Sequence, residues 1–211
     1  WSRWFTGLYA AGDAACSGLN GAGSLPGNRL LDALSGGSSS GNHASEWVKG
    51  QTFSNTENII SSLESCEANF NARFSEESSD TVQRVGELDL KLLTIATKFT
   101  NSPNSSDDLS RLLQELEQAE LSAESIHLDQ QSLIANTNFA GLLRIQAGIR
   151  LLTTSVRASL ARNESRGVHQ RSDFLEENSE LLHHITVDND ANIGTLAVRK
   201  GQKDNWILTP Q

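Results

Sequence analysis

The sequence predicts a mainly α-helical chain, and three observations carry that reading. Most of its 16 glycines fall in residues 1–50. From about residue 80 to 166, apolar residues recur at helical spacing. At Gly167 that recurrence stops. The order implies a short strand, a glycine-rich loop and a helix, then a three-helix bundle, then an extended C-terminal tail over 167–211.

The first piece begins with the strand-like "GLYAA" and continues through a glycine-rich loop to an apolar segment, Leu30 to Leu34. Gly27 and Asn28 precede that segment and tolerate the geometry of a helix start. The run "SGGSSSGNHA", Ser35 to Ala44, is dense in helix-weakening residues, so this helix is expected to be short or frayed. Residues 51–79 read as a helical connector. In residues 80–166, Val82, Val85, Leu88, Leu92, Leu93, Ile95, Ala96 and Phe99 share one face. "NSPNSSDD" breaks that helix, and Ser106 or Asp107 is the expected cap of the next. Leu109, Leu112, Leu113, Leu116 and Leu121 form its stripe; the third helix, Phe139 to Arg162, carries Leu142, Leu143, Ile149, Leu152, Val156 and Leu160. Three amphipathic helices on short polar loops should pack as a bundle, with Val85, Leu92, Leu113, Leu143, Leu152 and Val156 inside. The tail holds the β-like runs "HHITV" and "TLAVR" and should end in an apolar contact through Trp206, Ile207 and Leu208.

Composition narrows the function classes. The 211 residues suit one ordinary domain or two small ones. A net charge of -9, with bases scattered among acids, argues against a nucleic-acid footprint. No apolar run approaches the roughly 20 residues that cross a bilayer, and "WSRWFTG" lacks the pattern of a secretory signal. Cys16 and Cys66 lie far apart and suggest reduced thiols rather than a metal cluster. The chain contains no methionine, so a mature fragment of a longer precursor is expected.

Two motifs make the reading specific. "GLYAAGDAACSGLNGAG" followed by "GNRLLDAL" resembles the second flavin-binding motif of the succinate dehydrogenase/fumarate reductase flavoprotein family. Downstream, "ASLARNESRGVHQRSDF" is similar to that family's Ala-Arg-x-Glu-Ser-Arg-Gly-x-His-x-Arg-x-Asp segment, and "LLHHI" sits where the family carries Trp-Leu-x-His-Thr. The resemblance covers nearly the whole chain but only the last third or so of a family flavoprotein. It implies that residues 1–50 are the C-terminal piece of an FAD-binding domain. It also places Asp13 where a family glutamate hydrogen-bonds the ribityl chain of FAD. Gly27, Asn28, Leu30 and Leu31 then begin the helix whose amides face the flavin pyrimidine edge. Asp13, Asn28, Leu30 and Leu31 are thus the candidate FAD contacts, if a partner supplies the rest. In the same reading Arg166 and His169 hold the end of the bundle. Without the second motif, the glycine loop reads equally well as a tight turn.

The departures from the family are informative. Where the family has His-Gly-Ala-Asn-Arg, this chain reads Asn20-Gly21-Ala22-Gly23-Ser24. The family's substrate-gripping arginine is Ser24, its histidine is Asn20, its asparagine is Gly23, and a family serine is Arg29. A serine hydroxyl cannot replace a bidentate guanidinium on a carboxylate. No Gly-x-Gly-x-x-Gly opens the chain. The family's proton-donating arginine and the histidine that tethers FAD also find no counterpart. The expectation is that this polypeptide alone has no catalytic or substrate residues, binds no FAD and oxidises no succinate.

Other constellations are weaker. His183 and His184 alternate on a strand with no third ligand near, so no metal is expected. Glu164, Ser165 and His169 lack a nucleophile elbow, and His43 and His127 read as surface residues. Two functions lead, and a third, a one-piece enzyme of which this is only a portion, has Ser24 against it. One is a structural, degenerate C-terminal subunit of a respiratory complex II. The other is one half of a split FAD-dependent enzyme, completed by an N-terminal flavoprotein chain. Either implies other complex II subunits as partners and a place on the matrix side of the mitochondrial inner membrane, or in a membrane-associated bacterial enzyme.

Overall fold

The computed structural model describes residues 7–16, 21, 23–52, 56–72, 84–101, 103–126, 128, 132, 134–188, 190–200 and 206–210. Asn20, Val82 and His127 lie outside these residues, as do the side chains of Trp206, Ile207 and Leu208. Within the described residues there are five α-helices: α1 (Asn28–Val48), α2 (Glu57–Ala72), α3 (Val85–Thr100), α4 (Ser106–Glu124) and α5 (Thr137–Ala161). Three strands follow: β1 (His183–Val187), β2 (Ile193–Lys200) and β3 (Trp206–Pro210). The chain divides into two compact units, Trp1–Ile59 and Ile60–Gln211.

In the first unit, Leu8–Ala11 pairs with no strand among the described residues; a 3-10 turn, Gly12–Ala15, follows it. The segment instead lies along α1, which runs unbroken through the Ser/Gly tract and corrects the expectation of a short helix. The contacts explain why. A Cβ on Gly12 would come within 3.2 Å of the Ala33 Cβ. One on Gly36 would lie 3.5 Å from that of Ala11. Ser40 Oγ donates to the Ala10 carbonyl at 3.2 Å, and Tyr9 Oη lies 2.8 Å from His43 Nδ1. Trp47 closes the seam against Gly7, where a Cβ would lie 2.6 Å from the indole. Ala33, Gly36, Ser40, His43 and Trp47 recur three or four residues apart, so they form one helix stripe. Each helical glycine costs about 1 kcal/mol against alanine. Here small side chains also let a second backbone approach, and the contacts they admit offset that cost. The seam gives His43 a partner, Tyr9, that the surface reading did not foresee.

In the second unit, α3, α4 and α5 each pack against the other two. Leu88, Leu92 and Ile95 of α3, Leu109, Leu112, Leu116, Ala119 and Ala123 of α4, and Leu142, Ile145, Ile149 and Val156 of α5 form the core, with Ile126 and Leu128 beside them. Val85, Leu113 and Leu152 pack at its margin. Leu143, expected inside, is half exposed, and Leu93 and Leu121 are exposed as well. Leu93 and Leu143 each follow a buried leucine by one step of about 100°, Leu121 lies toward the far face of α4, and a helix has room for one core-facing stripe. The salt bridges Lys98–Glu115 and Arg144–Asp89 tie neighbouring helices at the rim. α4 is capped by Ser105 rather than Ser106 or Asp107: Ser105 Oγ accepts from the Asp108 amide, and the Asp108 carboxylate accepts from the Ser105 amide in return. Asn136 caps α5 by accepting from the Phe139 amide at 2.8 Å.

The β-like runs of the tail are strands, and they pair with each other. β1, β2 and β3 form an antiparallel sheet in that order, with Ile185 opposite Thr195 and Ala197 opposite Thr209. The β1–β2 turn is held by Asp188, whose carboxylate accepts from the Asp190 and Asn192 amides. β1 also packs against α5.

Urea unfolding of the chain, followed by far-UV circular dichroism, tests this core. Leu109→Ala, Leu142→Ala and Ile145→Ala are each expected to cost about 2–5 kcal/mol. Leu93→Ala and Leu143→Ala should stay within about 1 kcal/mol, because their side chains are half or more exposed.

Candidate functional site

Two arrangements hold the candidate residues. In the first unit, the glycine-rich segment meets the start of α1. Gly27 occupies the N-cap with φ 86, a left-handed conformation that suits glycine, and no side chain caps the helix there. The first-turn amides of α1 therefore point outward at the positive helix end. Leu30 and Leu31 are exposed, and Asn28 is half-buried at the same end. Ser24 is exposed, with its hydroxyl donating 3.4 Å to the neighbouring Leu25 carbonyl; Gly23 is exposed beside it.

Asp13 does not stand open. Arg29 Nε donates to both Asp13 carboxylate oxygens, at 3.2 and 3.1 Å, and its terminal nitrogen pairs with the second oxygen. The Arg29 guanidinium holds the Asp13 carboxyl below the usual carboxylate range. A carboxylate offers about four acceptor positions, and Arg29 takes three contacts. As arranged, the pair leaves Asp13 about one acceptor position for a ribityl hydroxyl. Neither the seam that brings residue 13 to residue 29 nor the pair itself has a signature in the motif; the arginine at position 29 was the sole signal.

The second arrangement is at the base of the bundle, where residues 162–178 fold into a buried ion cluster. Arg171 is almost wholly buried and uses every donor it has. Its Nε and one terminal nitrogen donate to the two oxygens of Asp173, each at 2.8 Å. That same nitrogen reaches Ser106 Oγ at 2.7 Å. The other terminal nitrogen donates to the carbonyls of Ser159 and Arg162, at 2.9 and 3.2 Å. These carbonyls lie at the C-terminal turn of α5, where Ser159 also accepts from the Arg162 amide and Arg162 also meets His169. Asp173 in turn accepts from the Ser106 amide and hydroxyl, at 2.8 and 2.6 Å, at the N-terminus of α4. The pair thus sets a cation at one helix end and an anion at another, each in the sense the helix dipole favours. The Arg171 guanidinium holds the Asp173 carboxyl far below its ordinary value.

Glu164 is the second centre. Its carboxylate is fully buried and accepts from Arg162 at 2.6 Å, from Arg166 at 2.9 Å and from the Asn178 amide at 2.8 Å. Burial pushes this carboxyl up, but Arg166, the Asn178 amide and Arg162 together outweigh it and hold the group at about 2. Arg162 also donates to the carbonyls of Leu181 and His183, which attaches β1 to the end of α5. Between the centres, Ser165 Oγ accepts from the Arg171 amide and donates to the Phe174 carbonyl. Asn104 binds the Phe99 carbonyl of α3 through its side chain and Gln170 and Ser172 through its backbone. Gly167, at φ 57, makes the tight turn between Arg166 and His169.

The cluster joins Arg166 and His169 to Arg162, Arg171 and Asp173 of the same motif, to Ser106, which the sequence offered only as a helix cap, and to Asn104, which it did not single out. His169 reaches the Arg162 carbonyl, and burial pushes its imidazole down. Glu164, Ser165 and His169 are committed to these structural bonds and do not form a nucleophile–base–acid chain. Among the described residues no group of three or more His, Cys, Asp or Glu is placed to hold a metal, and no helix is long and apolar enough to cross a membrane.

The profile of the family described as fumarate reductase flavoprotein C-term matches residues 91–207, which include the bundle, the ion cluster and most of the sheet. The chain belongs to this family. The family is one of FAD-dependent flavoproteins. Among its relatives is a Mycobacterium tuberculosis fumarate reductase flavoprotein subunit, 28% identical over 197 residues, which cover 91% of this chain and 33% of the relative. A Rickettsia conorii succinate dehydrogenase flavoprotein subunit is 28% identical over 174 residues, covering 82% and 28% respectively. The chain therefore spans about a third of the length of these curated relatives. Its fold is that of an Escherichia coli quinol fumarate reductase variant, with a TM-score of 0.77 at 19% identity over 89% of this chain and 32% of that one. It also matches the apo Sdh1 complex of Mycobacterium smegmatis, with a TM-score of 0.71 over 97% and 33% at 19% identity.

Two outcomes are expected at the flavoprotein family's ion cluster. Arg171→Ala removes the buried cation that Asp173 pairs with and empties the space it fills, and should cost about 3–5 kcal/mol in urea unfolding. Glu164 has a folded pKa of about 2 against an ordinary 4.5, so its contribution is present above about pH 4.5 and is lost as pH falls toward 2. That difference corresponds to about 3 kcal/mol. Wild-type stability relative to Glu164→Gln should therefore shrink across this window, measured by urea midpoints in a pH series.

Proposed function

We propose that this chain forms the C-terminal, structural portion of a succinate dehydrogenase-like flavoprotein within a respiratory complex II, and carries no dicarboxylate clamp of its own. Residues 1–50 are then the end of an FAD-binding domain, 51–79 a helical connector, 80–166 the family's helical domain and 167–211 its closing segment. The observation that carries the reading is at Ser24. Its exposed hydroxyl turns to the adjacent Leu25 carbonyl, and the nearest arginine in sequence, Arg29, is committed to Asp13. Among the described residues beside Ser24, no side chain supplies the charged, two-pronged grip a dicarboxylate needs.

A second reading is that the chain is half of a split enzyme and completes an FAD site in trans with an N-terminal chain. The retained Asp13 and the complete Glu164-Ser165-Arg166-Gly167 segment support it. In either case any flavin is held mainly by residues outside this chain. The partners are an N-terminal flavoprotein chain or other complex II subunits, and the working place is a membrane-bound complex. That place is the matrix side of the mitochondrial inner membrane or, as the alternative, the cytoplasmic face of a bacterial membrane; the matched relatives from Mycobacterium and Rickettsia are bacterial.

Malonate binding to the purified assembly, before and after Ser24→Arg, separates the readings. The structural role expects no change, because Asn20 and Gly23 still depart from the family pattern and the family's catalytic arginine is still missing unless a partner brings it. A changed malonate affinity promotes the split enzyme. The chain purified alone is expected to show no flavin absorbance, since a helix end and one carboxylate give too little contact to hold a dinucleotide.

A further inference from the structure

The pairing of Asp13 with Arg29 has a consequence for ligand binding. The contact exists because of the seam: Gly12 rests against Ala33, which sets the carboxylate of residue 13 beside the first turn of α1. Arg29 is the second residue of that helix. A cation there faces the positive helix end and is unfavourable unless an anion meets it. Asp13 is that anion. Both side chains are mostly exposed, 66% for Asp13 and 71% for Arg29, so the pair is open to solvent and to salt.

We propose that the Asp13–Arg29 ion pair is a latch that holds the carboxylate of the glycine-rich segment away from the hydroxyl chain of a flavin. The proposal rests on the reading that residues 7–34 lie where the flavin would bind. Asp13 can accept from ligand hydroxyls fully when Arg29 releases it, so a ligand competes with the guanidinium for its oxygens. An exposed ion pair is weak, which makes the latch a modest, salt-sensitive bias rather than a block. The substitution that places arginine at 29 thus lowers flavin affinity through Asp13 without removing the acceptor. Arg29 acts here as a positioning residue.

The test is FAD titration into the apo form of the full protein or assembly that carries this chain, read by quenching of flavin fluorescence at low and high sodium chloride. Thermal melts of each variant establish folding. Arg29→Ser is expected to bind FAD about two- to fivefold tighter than wild type at low salt, the scale of one exposed pair. At high salt the wild type should approach the variant, because screening weakens the pair. Asp13→Asn should bind no tighter than wild type. Equal or weaker binding by a folded Arg29→Ser overturns the latch. If Asp13→Asn alone weakens binding, the latch fails while the flavin-facing reading stands. If no form of the assembly binds FAD, both fail.

Discussion

The second unit depends on one buried guanidinium. Arg171 sits where α5 ends and α4 begins, and its five N–H donors are divided between Asp173, Ser106 and the terminal carbonyls of α5. Burying a charge without partners is expensive, often several kcal/mol. Here that expense is offset because all five donors find acceptors, among them the Asp173 carboxylate and carbonyls at the negative end of α5. The apolar stripes bring the three helices together. The ion cluster fixes which ends meet, because its hydrogen bonds are directional and the stripes are not. Through Asn104 it reaches α3, and through Arg162 it reaches β1, so bundle and sheet share one anchor.

The first unit is organised by the opposite means. Its seam has no buried charge and little apolar bulk; it works because Gly12, Ala33, Gly36 and Ser40 are small. A backbone lies close to a helix, and the residues at the two ends, Gly7 against Trp47 and Asp13 against Arg29, close the contact with a ring and an ion pair. α1 buries no residue fully, and Leu30, Leu31 and Leu34 remain exposed along it. A unit of this kind gains little from its own core, in keeping with a chain that spans about a third of its curated relatives' length.

The functional reading follows from the contrast between the units. The ion cluster keeps all nine defined positions of the motif it resembles, from Ala161 to Asp173, and each charged member is used. In the glycine-rich segment, Ser24 is exposed with its hydroxyl on the Leu25 carbonyl, and Arg29 pairs with Asp13. On the proposed reading, the chemistry is that of a scaffold where the helices meet and departs from the family pattern where a ligand would be.

The sequence by itself determined the helical class, the three bundle helices to within a few residues, the two β-like runs of the tail and the family. Those features rest on local periodicity, breakers and contiguous motifs, which a single chain displays directly. Tertiary structure alone decided the rest. It turned Leu143 outward although Leu142 is buried, because a helix has one core-facing stripe and leucine marks either side of its edge. It kept α1 helical through the Ser/Gly tract, because the contacts that offset weak propensity come from residues 7–12, more than twenty positions away. It joined Arg171 to Ser106 across 65 positions, and Asp13 to Arg29 across 16. Such pairs need two distant groups at hydrogen-bonding distance with fixed geometry, and no local pattern encodes a distance between separate segments.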